Sequence, residues 1–168
     1  MLEQRVAHGS LDEGGVELLA AQVAACAKGA TELRGACAGH GRDVVEAYMG
    51  HVQANAESAV RALIGRLHDG HFACEMDNGA VIHVTVSIDR AEQSAIVDFT
   101  GTSAQLSSNF NAPVSVVRAA VLYVLRTLVD EPIPMNDGCL RAVTIIVPEG
   151  SMLNPHFPAA VVAGNVET

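Results

Sequence analysis

The sequence predicts an α+β fold, a helical hairpin packed on an antiparallel β-meander with a further helix and strands behind it. Three observations carry that prediction. Apolar residues recur every three or four positions from Val16 to Leu67, the period drops to two between Phe72 and Thr100, and Pro113 reopens the longer period. A change of period from 3.6 to 2 marks the passage from helices that bury one stripe to strands that bury one face.

The first helical stretch carries Leu19, Val23, Cys26, Ala30, Leu33 and Cys37 at helical spacing and stops at Gly39-His40-Gly41. Its alanines allow close approach to a neighbour, while Gly29 and Gly35 each cost about 1 kcal/mol of helix propensity. Asp43 is placed to cap a second helix, whose stripe runs through Val45, Tyr48, Val52, Ala56, Ala59, Leu63 and Leu67. The short link between the two makes an antiparallel hairpin over 16–67 the natural arrangement.

Residues 71–100 read as a three-stranded meander. Asp77-Asn78-Gly79 is a type I′ hairpin signal, and Val81 to Ile88 sets Ile82, Val84, Val86 and Ile88 on one face against His83, Thr85 and Ser87 on the other. Pro113 opens a helix over 113–129 with Val114, Val117, Val121, Leu125 and Leu128 inward. Leu140 to Val147 is β-branched enough for a central strand. Ala159 to Ala163 reads as a short strand, and Gly164-Asn165 as a turn feeding a helix that the chain does not contain. Residues 16–168 are therefore expected to form a single partial domain of a larger protein, and residues 1–15, with three glycines and no period, a flexible lead-in.

Composition excludes several function classes. The chain has 168 residues, 49% hydrophobic and 17% charged, enough for a packed core. A net charge of −9 with ten scattered Lys and Arg gives no basic stripe, so nucleic acid is not an expected partner. No apolar run reaches the roughly 18 residues of a membrane span and no secretory leader is recognisable, which predicts a cytoplasmic protein without membrane contact. Cys26, Cys37, Cys74 and Cys139 lie too far apart for a C-x-x-C motif and read as reduced, buried thiols. The seven histidines form no H-x-x-x-H or H-E-x-x-H pair, so no metal site is assigned.

The chemistry-bearing stretch is 97–118, where a strand gives way to a polar loop that runs into a helix. Small hydrogen-bonding residues are dense there, and similar ones recur near the later turns. The candidate substrate-binding residues are Asp98, Thr100, Gly101, Thr102, Asn109, Asn111, Asn136, Gly138, Gly164 and Asn165, expected to converge at one end of the sheet. The competing reading is that they satisfy turns and caps, with Asn111 capping the helix opened by Pro113. No catalytic residue or general base is assigned.

Asp98-Phe99-Thr100-Gly101-Thr102-Ser103, Asn109 to Pro113, Ile133 to Leu140, Val147 to Ser151, Leu153-Asn154-Pro155 and Ala159 to Val166 resemble, in this order, the signature of the hydantoinase B/oxoprolinase family. Leu19 to Ala25 and Val44 to Glu57 look most like its ATP-dependent 5-oxoprolinase branch. The resemblance implies a fragment of an amide-ring hydrolase that converts 5-oxo-L-proline to L-glutamate with ATP hydrolysis, as in glutathione metabolism. It also implies ATP and a divalent metal in the full-length enzyme, neither expected on this fragment, a hydantoinase A-type nucleotide-binding domain or subunit as partner, and an oligomer. On this reading the isolated chain is inactive. The alternatives are a fragment of an N-methylhydantoinase or acetone carboxylase subunit, or a non-catalytic docking domain.

Overall fold

The computed structural model describes residues 13–167, and the chain divides into two compact units, one ending at Met49 and the other beginning at Gly50. The first unit contains helix α1 (Glu13–His40) and the opening turns of helix α2 (Arg42–Ile64). Gly41, at φ +88°, ends α1 by donating its N–H to the Cys37 carbonyl at 2.9 Å, and its own carbonyl accepts the Val45 N–H at 3.2 Å. One left-handed glycine thus closes a helix and opens the next. Asp43 lies inside the first turn of α2 instead of capping it, because the helix already begins at Arg42. Lys28–Glu32 and Arg42–Glu46 are exposed i,i+4 ion pairs that stabilise each helix locally. Gly14 and Gly15 are helical, and the remainder of the expected lead-in, residues 1–12, lies outside the described residues.

The second unit holds the sheet. Strands β1 (Gly70–Glu75), β2 (Val81–Asp89) and β3 (Ser94–Asp98) form the antiparallel meander, and helix α3 (Val114–Leu128) leads through a 3-10 helix at Asp137–Leu140 to β4 (Val143–Ile146), which pairs parallel with β3. The α+β class is as the sequence predicts, with a mixed sheet of order β1-β2-β3-β4.

Five local expectations are corrected. The β1–β2 hairpin is not type I′, since Asn78 does not have positive φ. Gly79 alone does, at +79°, with its N–H on the Met76 carbonyl and the Met76 N–H on the Ala80 carbonyl, a three-residue loop closed by a glycine bulge. Leu140 belongs to the 3-10 helix, and β4 is an edge strand of the described sheet: of its four β-branched residues only Val143 and Ile145 turn toward the core. Ala159–Ala163 is irregular, with the Ala163 N–H on the Asn109 carbonyl, the Ala160 carbonyl on Asn111 Nδ2, the Ala159 N–H on the His156 carbonyl and the Val161 carbonyl on the Asn165 N–H in place of a strand ladder, and Gly164–Glu167 forms a short helix, α4, inside the chain. Of the four free cysteines only Cys139 is buried; Cys26 and Cys74 are exposed, where their small size excuses the loss of burial.

The core lies on one face of the sheet in two clusters. Ala56, Val60, Leu63 and Ile64 of α2 meet Ala95, Leu125, Ile133, Leu140 and Ala142 near the start of β3 and β4. Ala80, Ala112, Val117, Met152 and Leu153 form the second, beneath the loops at the other end. Burying a side chain such as Ile64 or Met152 stabilises by about 1.5–3 kcal/mol. Among the described residues no helix is long and apolar enough to cross a membrane.

Candidate functional site

The parallel pairing of β3 with β4 brings two loops out at the same end of the sheet. Asp98 sits opposite Ile146, and the Phe99 N–H extends the ladder to the Ile146 carbonyl at 2.9 Å. Beyond that point β3 ends in an Asx turn, in which Asp98 Oδ1 accepts the Thr100 N–H at 2.8 Å. Hydrogen bonds from the Thr100 side chain and backbone hold the Asp98 carboxyl below the usual carboxylate range. Gly101 follows at φ +97° against His83, and it is the left-handed backbone that calls for glycine there, since a Cβ would meet the imidazole only at ordinary contact distance.

Hydroxyl groups then continue the strand pairing. Thr102 Oγ1 accepts the His83 N–H at 3.1 Å and donates to its carbonyl at 3.2 Å, while Ser103 Oγ accepts the Val81 N–H at 2.9 Å. The Ser103 carbonyl takes the Met152 N–H, the Met152 carbonyl takes the Ala112 N–H, and Gln105 N–H donates to Gly150, so the two loops are stitched together. Asn111 closes the arrangement. It is fully buried; its Oδ1 accepts the Leu106 N–H at 2.7 Å and its Nδ2 donates to the carbonyls of Leu106, Ser108 and Ala160, each at 3.0 Å. The Asn109 carbonyl accepts from both Ala163 and Gly164, and a Cβ on Gly164 would stand 2.1 Å from the Asn111 carbonyl oxygen. Only glycine permits that backbone approach.

Asp98, Thr100, Gly101 and Thr102 therefore share one end of the sheet with Asn109, Asn111, Gly164 and Asn165. Asn136 and Gly138 do not join them. They precede β4, at the end where Ala95 pairs with Val143, and Asn136 Oδ1 caps the 3-10 helix through the Gly138 N–H at 2.8 Å. Asn136 Nδ2 also donates to the Val52 carbonyl of α2, and Gly138 lies so close to α2 that a Cβ would stand 2.1 Å from the Gln53 carbonyl oxygen. Asn111 does not cap α3, whose N-cap position is Pro113 with no side-chain bond. Its partners reach 49 residues along the chain, which a local reading of the Asn-Ala-Pro step could not supply.

The side chains of Asn109 and Asn165 are exposed and make no hydrogen bond to the described residues. With Thr100 and half-buried Asp98 they give this end a surface of carboxamide, hydroxyl and carboxylate groups. Sequence reasoning counted Ser103 among the small polar residues of the loop without making it a candidate, and it missed Gln105 and buried Ser151, whose Oγ donates to the Pro148 carbonyl at 2.7 Å. The adjacent hydroxyls of Thr102 and Ser103 just past a strand end are the signal that could have found the first. Among the described residues no group of three His, Cys, Asp or Glu could hold a metal ion, so they do not by themselves fit a metal centre.

Residues 17–168 match the family model described as Hydantoinase B/oxoprolinase. The chain belongs to that family. It is 41% identical over 159 residues to the 5-oxoprolinase of Dictyostelium discoideum and 42% identical over 166 residues to 5-oxoprolinase 1 of Arabidopsis thaliana, each alignment covering 89% of this chain. It spans only 13% of the length of either relative. Its fold matches the crystal structure of the ATP-dependent caprolactamase from Pseudomonas jessenii with a TM-score of 0.66 at 23% identity, over 88% of this chain and 26% of that one. That likeness supports the fold.

Proposed function

We propose that the chain is one piece of an ATP-dependent 5-oxoprolinase, a hydrolase that opens 5-oxo-L-proline to L-glutamate in the cytoplasm. The observation that carries this reading is identity above 40% to two 5-oxoprolinases along nearly the whole of the chain. ATP and a divalent metal belong, on this reading, to other parts of the full-length enzyme and to a hydantoinase A-type nucleotide-binding partner within an oligomer. This chain contributes a wall of the substrate site.

The exposed groups at the loop end suit that role. A lactam presents one N–H donor, one carbonyl acceptor and, in 5-oxoproline, a carboxylate; the carboxamides of Asn109 and Asn165 can donate and accept toward such a group, and the Thr100 hydroxyl can do either. None of them is a proton-transfer group of suitable pKa, so their part is positioning. The buried relatives Asn111 and Gly164 hold the loop that carries them.

The test is glutamate formation from 5-oxo-L-proline and ATP by the parent-length protein with its nucleotide-binding partner. Asn109→Ala and Asn165→Ala should each lower kcat/KM about tenfold or more while leaving the Tm of this chain unchanged within measurement, because these exposed side chains make no hydrogen bond to the described residues. Formation of acetoacetate or an N-carbamoyl product in place of glutamate would assign the chain to another branch. Equal losses of stability and activity would return both residues to a structural role.

A further inference from the structure

We propose that the inner face of the sheet beside α3 is a docking surface for an amphipathic helix contributed by another part of the hydantoinase B-type module. The inference rests on family membership and not on the activity proposed above. Between β2–β3 and α3 runs a groove of about 370 Å³ walled by Val84, Val86, Val97, Val121, Val124 and Leu128, and no polar side chain lines it. Its open side continues onto β1. Phe72 pairs with Val84 across the antiparallel ladder, which puts both side chains on the same face, and Phe72 is 65% exposed. On the opposite rim Val124 is 54% and Leu128 47% exposed.

Three arguments select the occupant. Small-molecule pockets in this volume range carry a few polar groups that fix the ligand, and this groove has none. A sheet face with apolar alternation needs a second layer; α2 and α3 supply it over β3 and β4 and reach Ile88 of β2, leaving the middle of β2 half-covered and β1 exposed along its whole length. The missing layer is thus a helix beside α3, whose apolar stripe fits a trough between a helix and a sheet. Its source is the polypeptide beyond the matched stretch: the two 5-oxoprolinases that share this sequence are matched over only 13% of their length.

Methyl-resolved NMR of the 168-residue chain tests the assignment. The titrant is the hydantoinase B-type portion of the Dictyostelium discoideum 5-oxoprolinase with the matching stretch deleted. The methyl signals of Val84, Val86, Val124 and Leu128 should shift while those of Val162, far along the chain in the irregular 159–163 stretch, stay in place. Val124→Asp, on an exposed helix position that folding tolerates, should weaken the interaction at least about tenfold, since it sets a charge into an apolar seam. Shifts that follow the chain's own concentration would assign the face to a second copy and overturn the proposal. So would a complement with its own cooperative melt that leaves the methyls unmoved. Independently of any complement, the chain alone should enhance the fluorescence of 1-anilinonaphthalene-8-sulfonate, and Val124→Asp should reduce that signal; no enhancement would mean that the face is closed in solution and would equally overturn it.

Discussion

The two ends of the β3–β4 pair are held by opposite means. At the loop end the fastening is neutral and buried: Asn111, wholly inaccessible, bonds four backbone groups, and Gly164 packs its Cα against the Asn111 carbonyl. At the other end Gly138 makes the same kind of backbone contact with Gln53 of α2, but the surrounding side chains are charged and partly wet. Glu57 holds Arg61 at 2.8 Å and Arg141 at 3.6 Å, and Arg141 also donates to the Gln53 side chain. Close glycine contact is therefore common to both ends, whereas sensitivity to charge belongs mainly to one. The exposed carboxamides of Asn109 and Asn165 lie at the neutral end.

The largest expected effect tests what the ends share. Gly138→Ala and Gly164→Ala each place a Cβ about 2 Å from a backbone carbonyl oxygen that no rotamer can move away. Each should cost about 3 kcal/mol or more, a fall in Tm on the order of 10 °C for a chain of this size. A thermal melt of either variant near the parent value would show that the backbones are farther apart than described. Asn111→Ala comes next. It removes the buried carboxamide that pairs the Leu106 N–H and the carbonyls of Leu106, Ser108 and Ala160, and should cost about 2–3 kcal/mol, the same at low and high salt. A denaturant midpoint that moves with ionic strength would break the contrast between the ends.

Much of this was legible in the sequence, and the failures share a cause. The alternation of Val81 to Ile88 gave β2 and its inward face, because a half-buried strand writes its environment into every second residue. Gly101, Gly164 and Asn109 could be placed near one another because they adjoin strand and helix ends. What could not be read was long-range partnership. Asn111 looks like a local cap, and only the fold brings Ala160 to its Nδ2. Ala159 to Ala163 has strand composition but no neighbouring strand to pair with, and α4 is four residues long, too short to show a period. Asn136 and Gly138 resemble the residues of the loop end in type, yet parallel pairing sends them to the far end of β4, a direction that composition does not encode.

The smallest effect separates the ends by how salt changes an acid transition. Hydrogen bonding by Arg61, with a further contribution from Arg141, holds the Glu57 carboxyl below the usual carboxylate range, and its side chain is 24% exposed. A carboxyl whose folded pKa is depressed lends stability that is fully present above its unfolded value, near 4.3, and is lost as pH falls through the lower folded value. Glu57→Gln should therefore lower Tm slightly at neutral pH and flatten the acid limb of the Tm-against-pH curve, bringing variant and parent together at low pH. Asp98, also depressed, acts in the same direction at the loop end through Thr100, so Asp98→Asn is the necessary comparison. Because the Glu57 pairs are between partly exposed charges, added salt should shrink the Glu57→Gln difference, while the Asp98→Asn difference, which arises from a hydrogen bond to a neutral partner, should persist. Equal salt responses in the two variants would mean that both ends are fastened alike.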